Sequence, residues 1–420
     1  MVPRRLAAVD AQMYWMSAAV PSDQFLLYAF DGATADLDRV VGTLMDRARE
    51  CDDLRLRIDD AAFWTYPVWQ QRPVGMDQFV VHDDAGAAWP DLLAAVTALV
   101  GDQLDARAMT WRLHIFPAVD DVPGCAGAAT VVVVQISHAL GDGIRSSAMA
   151  AHLLGRSGPL PRVTPVRSHP GLLASRAVGA ARAHRRLVRD TDAGLVPPPS
   201  IPRPPLRTNA RPAGARKLRV VVRPRRRSRG APTVTVGVLS AISGALAAHL
   251  RALGDDPSQL GAEVPMANSG SRPANNHFGN VTVGLYPDLA AGPRESAIAA
   301  DLQQRRRRSG HAAMPAERAA LAAVPAPVLR WGVGKFDPDA RAATVSGNTV
   351  VSSVNRGACD LRFGGAPVVL TTGLPGLSPM MGLTHGVHGI GDTVAVSVHA
   401  AESAIGDIDA YIERLEWELG

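Results

Sequence analysis

The sequence predicts an α/β protein built as two similar halves, each a mixed sheet with flanking helices, joined by a basic crossover. Three observations predict it. The chain has 420 residues, 47% of them hydrophobic and 20% charged, which is more than one ordinary core serves and enough apolar material to fill two. Strand and helix signals alternate over residues 1–155 and again over 216–420. Residues 156–215 break the alternation. Gly155 to Gly214 holds eleven of the 32 prolines, so this stretch reads as a linker or crossover.

In the first half, "DQFLLYAF" (23–30) reads as a strand and 37–51 carries apolar residues at helical spacing. "LRLRI" (54–58) alternates like a strand, 89–104 reads as a helix with Pro90 in its first turn, and "WRLHIF" (111–116) alternates again. "ATVVVVQIS" (129–137) is apolar almost throughout, as a strand covered on both faces should be. A helix follows Asp142 to about residue 154. Inside the crossover, 172–190 has the pattern of a basic amphipathic helix. The second half opens on a strand, "KLRVVV", then a long helix over 233–254 that ends at a glycine. A strand in "GNVTVGLYPD", two helices over 294–331, strands around Val350, Val368 and Val394, and a closing helix complete it.

Net charge is +5, but it is unevenly spread. Arg156 to Arg229 holds 18 Arg and one Lys against Asp190 and Asp192, while the remainder is acidic. Such a segment attracts phosphates or an anionic membrane surface. Nucleic acid is not the expected partner: there is no zinc spacing or recognition motif, and only 5% of residues are aromatic. The cysteines, Cys51, Cys125 and Cys359, form no metal spacing or disulfide framework and point to a reducing, cytoplasmic setting.

The stretch that carries chemistry is "VVVVQISHALGDGIRSS". His138 stands at the mouth of a buried strand, with Asp142 and Gly143 four and five residues on. Beside three plain readings, a core histidine satisfied by backbone, a GDG that is only a turn and a chance match, the residues alone leave one other open. It is a general base, since imidazole titrates near neutrality and can take a proton from a hydroxyl. In that reading Asp142 binds amides at the helix start and pairs with an arginine, and Gly143 eases the turn.

This segment resembles the HHxxxDG motif of the CoA-dependent acyltransferase superfamily, and among its members the bacterial wax ester synthase/diacylglycerol acyltransferases. "LAAVDAQMYWM" (6–16) resembles that family's LSxxDAxFL opening, and "YPVW" with "DQFVVHD" (66–83) its strand region before the motif. "VLSAISGALAAHLRALG" (238–254) resembles its long second-half helix. "VPMANSGSR" with "FGNVTVGL" (264–285) resembles its VPVSxR and GN segments, and "VVSSVNRG" (350–357) stands where the family has a strand ending in an Asn-Val-Pro-Gly turn. The chain departs in three places: Ser137 replaces the first histidine, Thr235-Val236 an Asn-Asp pair, and Ser353 to Arg356 that turn.

The resemblance implies two chloramphenicol-acetyltransferase-like subdomains, 1–155 and 216–420, with a tunnel between them. It implies O-acyl transfer from acyl-CoA, or from an acyl carrier thioester, to the hydroxyl of a lipid or small molecule. Acyl-CoA is then a substrate, and no cofactor or metal is called for. His138 would be the base, Asp142 and Gly143 would hold the motif, and Arg55 would pair with Asp142. Ser137, Ser352, Ser353 and Asn280 are candidates for oxyanion or substrate contacts. The basic runs 223–230 and 305–308 could meet CoA phosphates, and the crossover helix could meet a membrane surface peripherally. A non-catalytic binding or scaffold protein keeping this fold is the alternative that the lost first histidine leaves open.

Overall fold

The computed structural model describes residues 4–82, 86–165, 169–225 and 232–420. Two large sheets carry the fold. The first runs Arg362–Phe363, Ala366–Leu374, Gln24–Phe30, Ala129–Ile136, Trp111–Asp120, Phe79–Val81, with Ala87–Ala88 also beside Trp111–Asp120. The second runs Phe278–Gly284, Gly261–Ala267, Thr349–Asn355, Leu383–Ile390, Thr393–Ala401, Arg216–Pro224. A small third sheet joins Arg4–Arg5, Val68–Gln71 and Leu56–Asp59.

Hydrophobic patterning explains the layers. Ala129–Ile136 is buried at every position and lies antiparallel between Gln24–Phe30 and Trp111–Asp120, so both its faces need apolar residues. The long helix Val234–Ala252 buries Leu239, Ile242, Leu246 and Leu250 against the second sheet. It is the one helix among the described residues long and apolar enough to cross a membrane, and it is 67% buried as a core helix. A third apolar cluster joins the halves. It packs Phe25 and Leu27 with Trp89 and Leu93 of one helix, Leu218 of the second sheet, and Leu370 and Leu374.

Several expectations change here. The strand Ala366–Leu374 lies in the second half of the sequence but pairs antiparallel with Gln24–Phe30 of the first sheet. The sheets therefore do not divide at the crossover. Residues 52–55 form a 3₁₀ turn, and the strand begins only at Leu56. The helix starting at Trp89 stops at Leu99, where the chain turns at Gly101. Three helices, Ala291–Ser309, Ala313–Leu321 and Ala326–Val333, occupy the place of the expected two. The crossover helix spans Leu173–Asp192 and packs on Ala313–Leu321.

Candidate active site

The strand Ala129–Ile136 delivers His138 to its place. Beyond Ile136, Ser137 N–H donates to Thr110 O (2.9 Å), and Leu140 N–H donates back to Ser137 O (2.9 Å). Asp142 then caps the helix Gly143–Leu153, its Oδ1 accepting from Arg145 N–H at 3.2 Å. A polar side chain at this position satisfies a helix-end N–H that otherwise lacks a partner. His138 is thus fixed between a buried strand and a capped helix.

The imidazole is held by a residue from the other half. His138 Nδ1 lies 2.9 Å from Asn276 Oδ1, and Asn276 Nδ2 donates to His138 O at 2.8 Å and to Asp10 Oδ1 at 3.0 Å. These bonds set the protonation pattern. A backbone carbonyl only accepts, so the Asn276 amide nitrogen must face it, and its oxygen must face His138. Nδ1 therefore carries the proton, and Nε2 keeps its lone pair as an acceptor. Burial lowers the His138 pKa below 6.5, against the opposing pull of Asn276 and Asp142, so the ring is neutral at neutral pH. The Phe278 ring stacks on it, centroids 5.7 Å apart.

Asp10 anchors the arrangement. It sits in the helix Ala8–Met16 and is 2% exposed. Burial raises its pKa to about 6, although its oxygens accept from Asn275 N–H (2.9 Å) and Asn276 N–H (2.8 Å) as well as from the Asn276 side chain. Asp10, Asn276 and His138 form one continuous chain from an N-terminal helix through the second half to the motif.

Asp142 is structural, but its partner is not Arg55. Asp142 Oδ2 accepts from Arg272 Nη1 at 2.6 Å and from His277 N–H at 2.9 Å. Both side chains are at most 9% exposed. The Arg55 side chain lies in the 3₁₀ turn, 39% exposed, and its acidic partner among the described residues is Asp52 at 3.7 Å. The turn takes Arg55 off the strand that was expected to aim it at Asp142. Its neighbour Asp53 reaches the motif helix instead, 2.9 Å from the buried Arg145.

Ser352 and Ser353 lie on opposite faces of Thr349–Asn355. Ser353 Oγ is 2.8 Å from Thr235 Oγ1 at the start of the long helix. Ser352 faces the other way and lines a cavity at the junction of the halves, as does Gly143. Gly143 opens the motif helix and does not take a positive φ. A Cβ there would meet Val354 Cγ2 at 3.4 Å, an ordinary contact across the junction. Asn280 is exposed, two residues beyond Phe278, and its amide donates to Glu263 at 3.4 Å rather than to His138. Ser137 is 7% exposed beside the base.

The basic runs do other work. Arg305 Nη1 donates to Pro198 O (2.7 Å) and Arg308 Nη1 to Pro197 O (2.8 Å), so this run fastens the crossover to the helix Ala291–Ser309. In the other run Arg223 is 3.8 Å from Glu416, and residues 226–230 lie outside the described residues. Asn276, Arg272 and Asp10 were not singled out in the sequence. The available signal was the polar cluster "SRPANNHF" (271–278), whose two asparagines precede the phenylalanine that stacks on the base.

No protein-family model matches the chain, and no curated protein matches it in sequence. Solved structures do match. The wax ester synthase/diacylglycerol acyltransferase from Marinobacter aquaeolei VT8 superposes with a TM-score of 0.64 at 18% identity, covering 99% of this chain and 98% of that one. A mutant of the starter condensation domain of rhizomide synthetase RzmA, in complex with C8-CoA and Leu-SNAC, gives 0.59 at 14% identity, covering 99% and 93%. The likeness spans both sheets, the crossover and the motif region. The chain has the two-subdomain fold shared by that acyltransferase and that condensation domain.

Proposed function

We propose that the protein is an acyltransferase that moves an acyl group from acyl-CoA, or from an acyl carrier thioester, to an acceptor hydroxyl. The acceptor class is a fatty alcohol, a diacylglycerol or the hydroxyl of a specialised metabolite. The observation that carries this is the state of His138: its Nδ1 is committed to Asn276, and Nε2 is left as a base. Structures with this fold support the thioester side, one of them in complex with C8-CoA.

In this reading Nε2 accepts the acceptor's proton as its oxygen attacks the thioester carbonyl carbon. The tetrahedral intermediate collapses with cleavage of the C–S bond, and the imidazolium returns the proton to the departing thiolate. No covalent enzyme intermediate is needed. Backbone N–H groups near the base are the donors for the oxyanion. A neutral, oriented imidazole contributes roughly 10²–10⁴-fold to such a step.

The test is thiol release from octanoyl-CoA with a panel of alcohols. His138→Ala should lower turnover at least about a hundredfold in a protein that still melts cooperatively. Asn276→Ala should lower kcat more than it raises KM, since it frees the ring to turn or to change tautomer. Turnover unchanged in folded His138→Ala removes His138 as the base. A folded wild-type protein that transfers nothing from any thioester leaves the binding-protein reading in its place.

A further inference from the structure

The geometry points to a carboxylate-binding subsite at the junction of the halves, built by Arg356, Ser352 and Ser147, that selects a reacting molecule carrying an anionic group. It rests on the acyl-transfer reading above and narrows its substrate class.

The subsite is a cavity of about 80 Å³. The motif helix contributes Gly143 and Ser147, and the second half contributes Ser352, Val354, Arg356 and His388. Residues 352 and 354 share one face of Thr349–Asn355, Arg356 follows directly after the strand, and His388 is the direct neighbour of Val354 on the next strand. No Asp or Glu lines the cavity.

Arg356 is the unusual member. It is 6% exposed, yet no carboxylate pairs with it among the described residues. Arg145, Arg294 and Arg305 are buried to a similar degree and each faces an Asp or Glu, whereas Arg203, buried away from this cavity, shares with Arg356 the lack of an ion pair among the described residues. Arg356 Nη1 donates to Thr371 Oγ1 and, at 3.5 Å, to Leu27 O, the Tyr28 hydroxyl is also its partner, and the guanidinium sits 5.0 Å from the Tyr28 ring. Nε is buried without a partner among the described residues. A buried charge in this state is costly, and a bound carboxylate would offset it. Guanidinium and carboxylate match as a two-pronged pair. The Ser147 and Ser352 hydroxyls can donate to the same group. His388 is 5% exposed and its Nδ1 has no partner. Burial and Arg356 hold it neutral, so it too has one N–H to give.

Place and size favour a carboxylate over a CoA phosphate. The cavity lies on Gly143 and Ser147 of the motif helix and is not lined by His138, so a carboxylate reaches it at one end of a molecule whose other end reacts at the base. The anion therefore belongs to the acceptor or to the far end of the acyl group.

Two paired comparisons separate the sources. The acceptor arm compares a long-chain ω-hydroxy acid with its methyl ester. The donor arm compares an eight-carbon dicarboxylyl-CoA with octanoyl-CoA. In one arm the charged member should be preferred at least about tenfold in kcat/KM, a difference of about 1.4 kcal/mol. Arg356→Gln should bring that ratio close to one, and Arg356→Lys should keep part of it. No preference in either arm, or a preference that survives Arg356→Gln, overturns the subsite. If Arg356→Gln does not fold, the double change Ser147→Ala and Ser352→Ala should still lower the ratio, and an unchanged ratio again overturns it. Thermal shift of the intact protein reads the subsite without turnover. The hydroxy acid should stabilise it more than the ester does, even if the acyl-transfer reading fails. Equal shifts, or an Arg356-dependent shift given by CoA alone, count against a carboxylate site.

Discussion

Asp142 joins three segments with two oxygens. One caps the motif helix at Arg145 N–H, and the other receives Arg272 and the His277 N–H. Asp142→Asn should keep the cap, because asparagine is as good a cap as aspartate, and should lose the charge. Breaking a buried pair costs about 3–5 kcal/mol, since the remaining ion is left uncompensated. We expect a lower melting temperature together with lower activity. Adding Arg272→Met to Asp142→Asn should cost much less than the two single changes summed, as coupled residues do. Strict additivity in that cycle would show that the ion pair is not what holds the loop. His138 and Asp142 could be placed from the sequence because they lie within five residues, between the end of one strand and the start of one helix. Arg272 and Asn276 were not, because nothing local to the motif marks residues 130 and 138 positions away. Arg55 was read from an alternation that a 3₁₀ turn interrupts.

The crossover helix Leu173–Asp192 has one face tied down and one open. Arg176 donates to Ala319 O, His311 pairs with Asp190, and Leu187 is buried. Arg182, Arg185, Arg186 and Arg189 remain exposed, with Val178 and Val188 about half exposed. Each exposed arginine near an anionic bilayer is worth about 1 kcal/mol. The protein should therefore float with phosphatidylserine vesicles at low ionic strength and release at high salt. Changing those four arginines to Gln should abolish flotation; a protein that ignores such vesicles at low salt removes the membrane role. Elements with a strong apolar pattern or run were legible, among them this helix, the buried strand and the long helix. The strand Leu383–Ile390 was not, because "LTHGVHGI" lacks a β-branched run and carries two glycines and two histidines at buried positions. The helix Ala8–Met16 was matched as a motif but not read as a helix, since its residues are apolar around most of the turn.

Across the whole molecule, buried histidines set the acid limit. Burial lowers His114 to about 4, His399 to about 4 and His385 to about 3. Each is neutral when folded and takes up a proton when unfolded once the pH falls below 6.5, so stability drops as pH drops. At pH 5 the loss is about 2 kcal/mol for each of the three, by linkage. Asp10 and Asp23, both raised to about 6 by burial, act in the opposite sense and return about 1 kcal/mol each between pH 7 and 5. The urea midpoint should therefore fall from pH 7 to pH 5, and an unchanged midpoint would mean that these rings are not held neutral. The order in which the chain can complete itself follows from a strand. Phe25 to Phe30 pair on one side with residues 130–135 but on the other with 368–374. As the chain leaves a ribosome, the first sheet gains its inner strands early, yet that edge of Gln24–Phe30 stays open until nearly nine-tenths of the residues have been made. An open strand edge is a template for pairing with another chain. Nascent fragments that stop within residues 155–360 should accordingly aggregate or be held by a chaperone, and solubility should return only when synthesis passes Leu374.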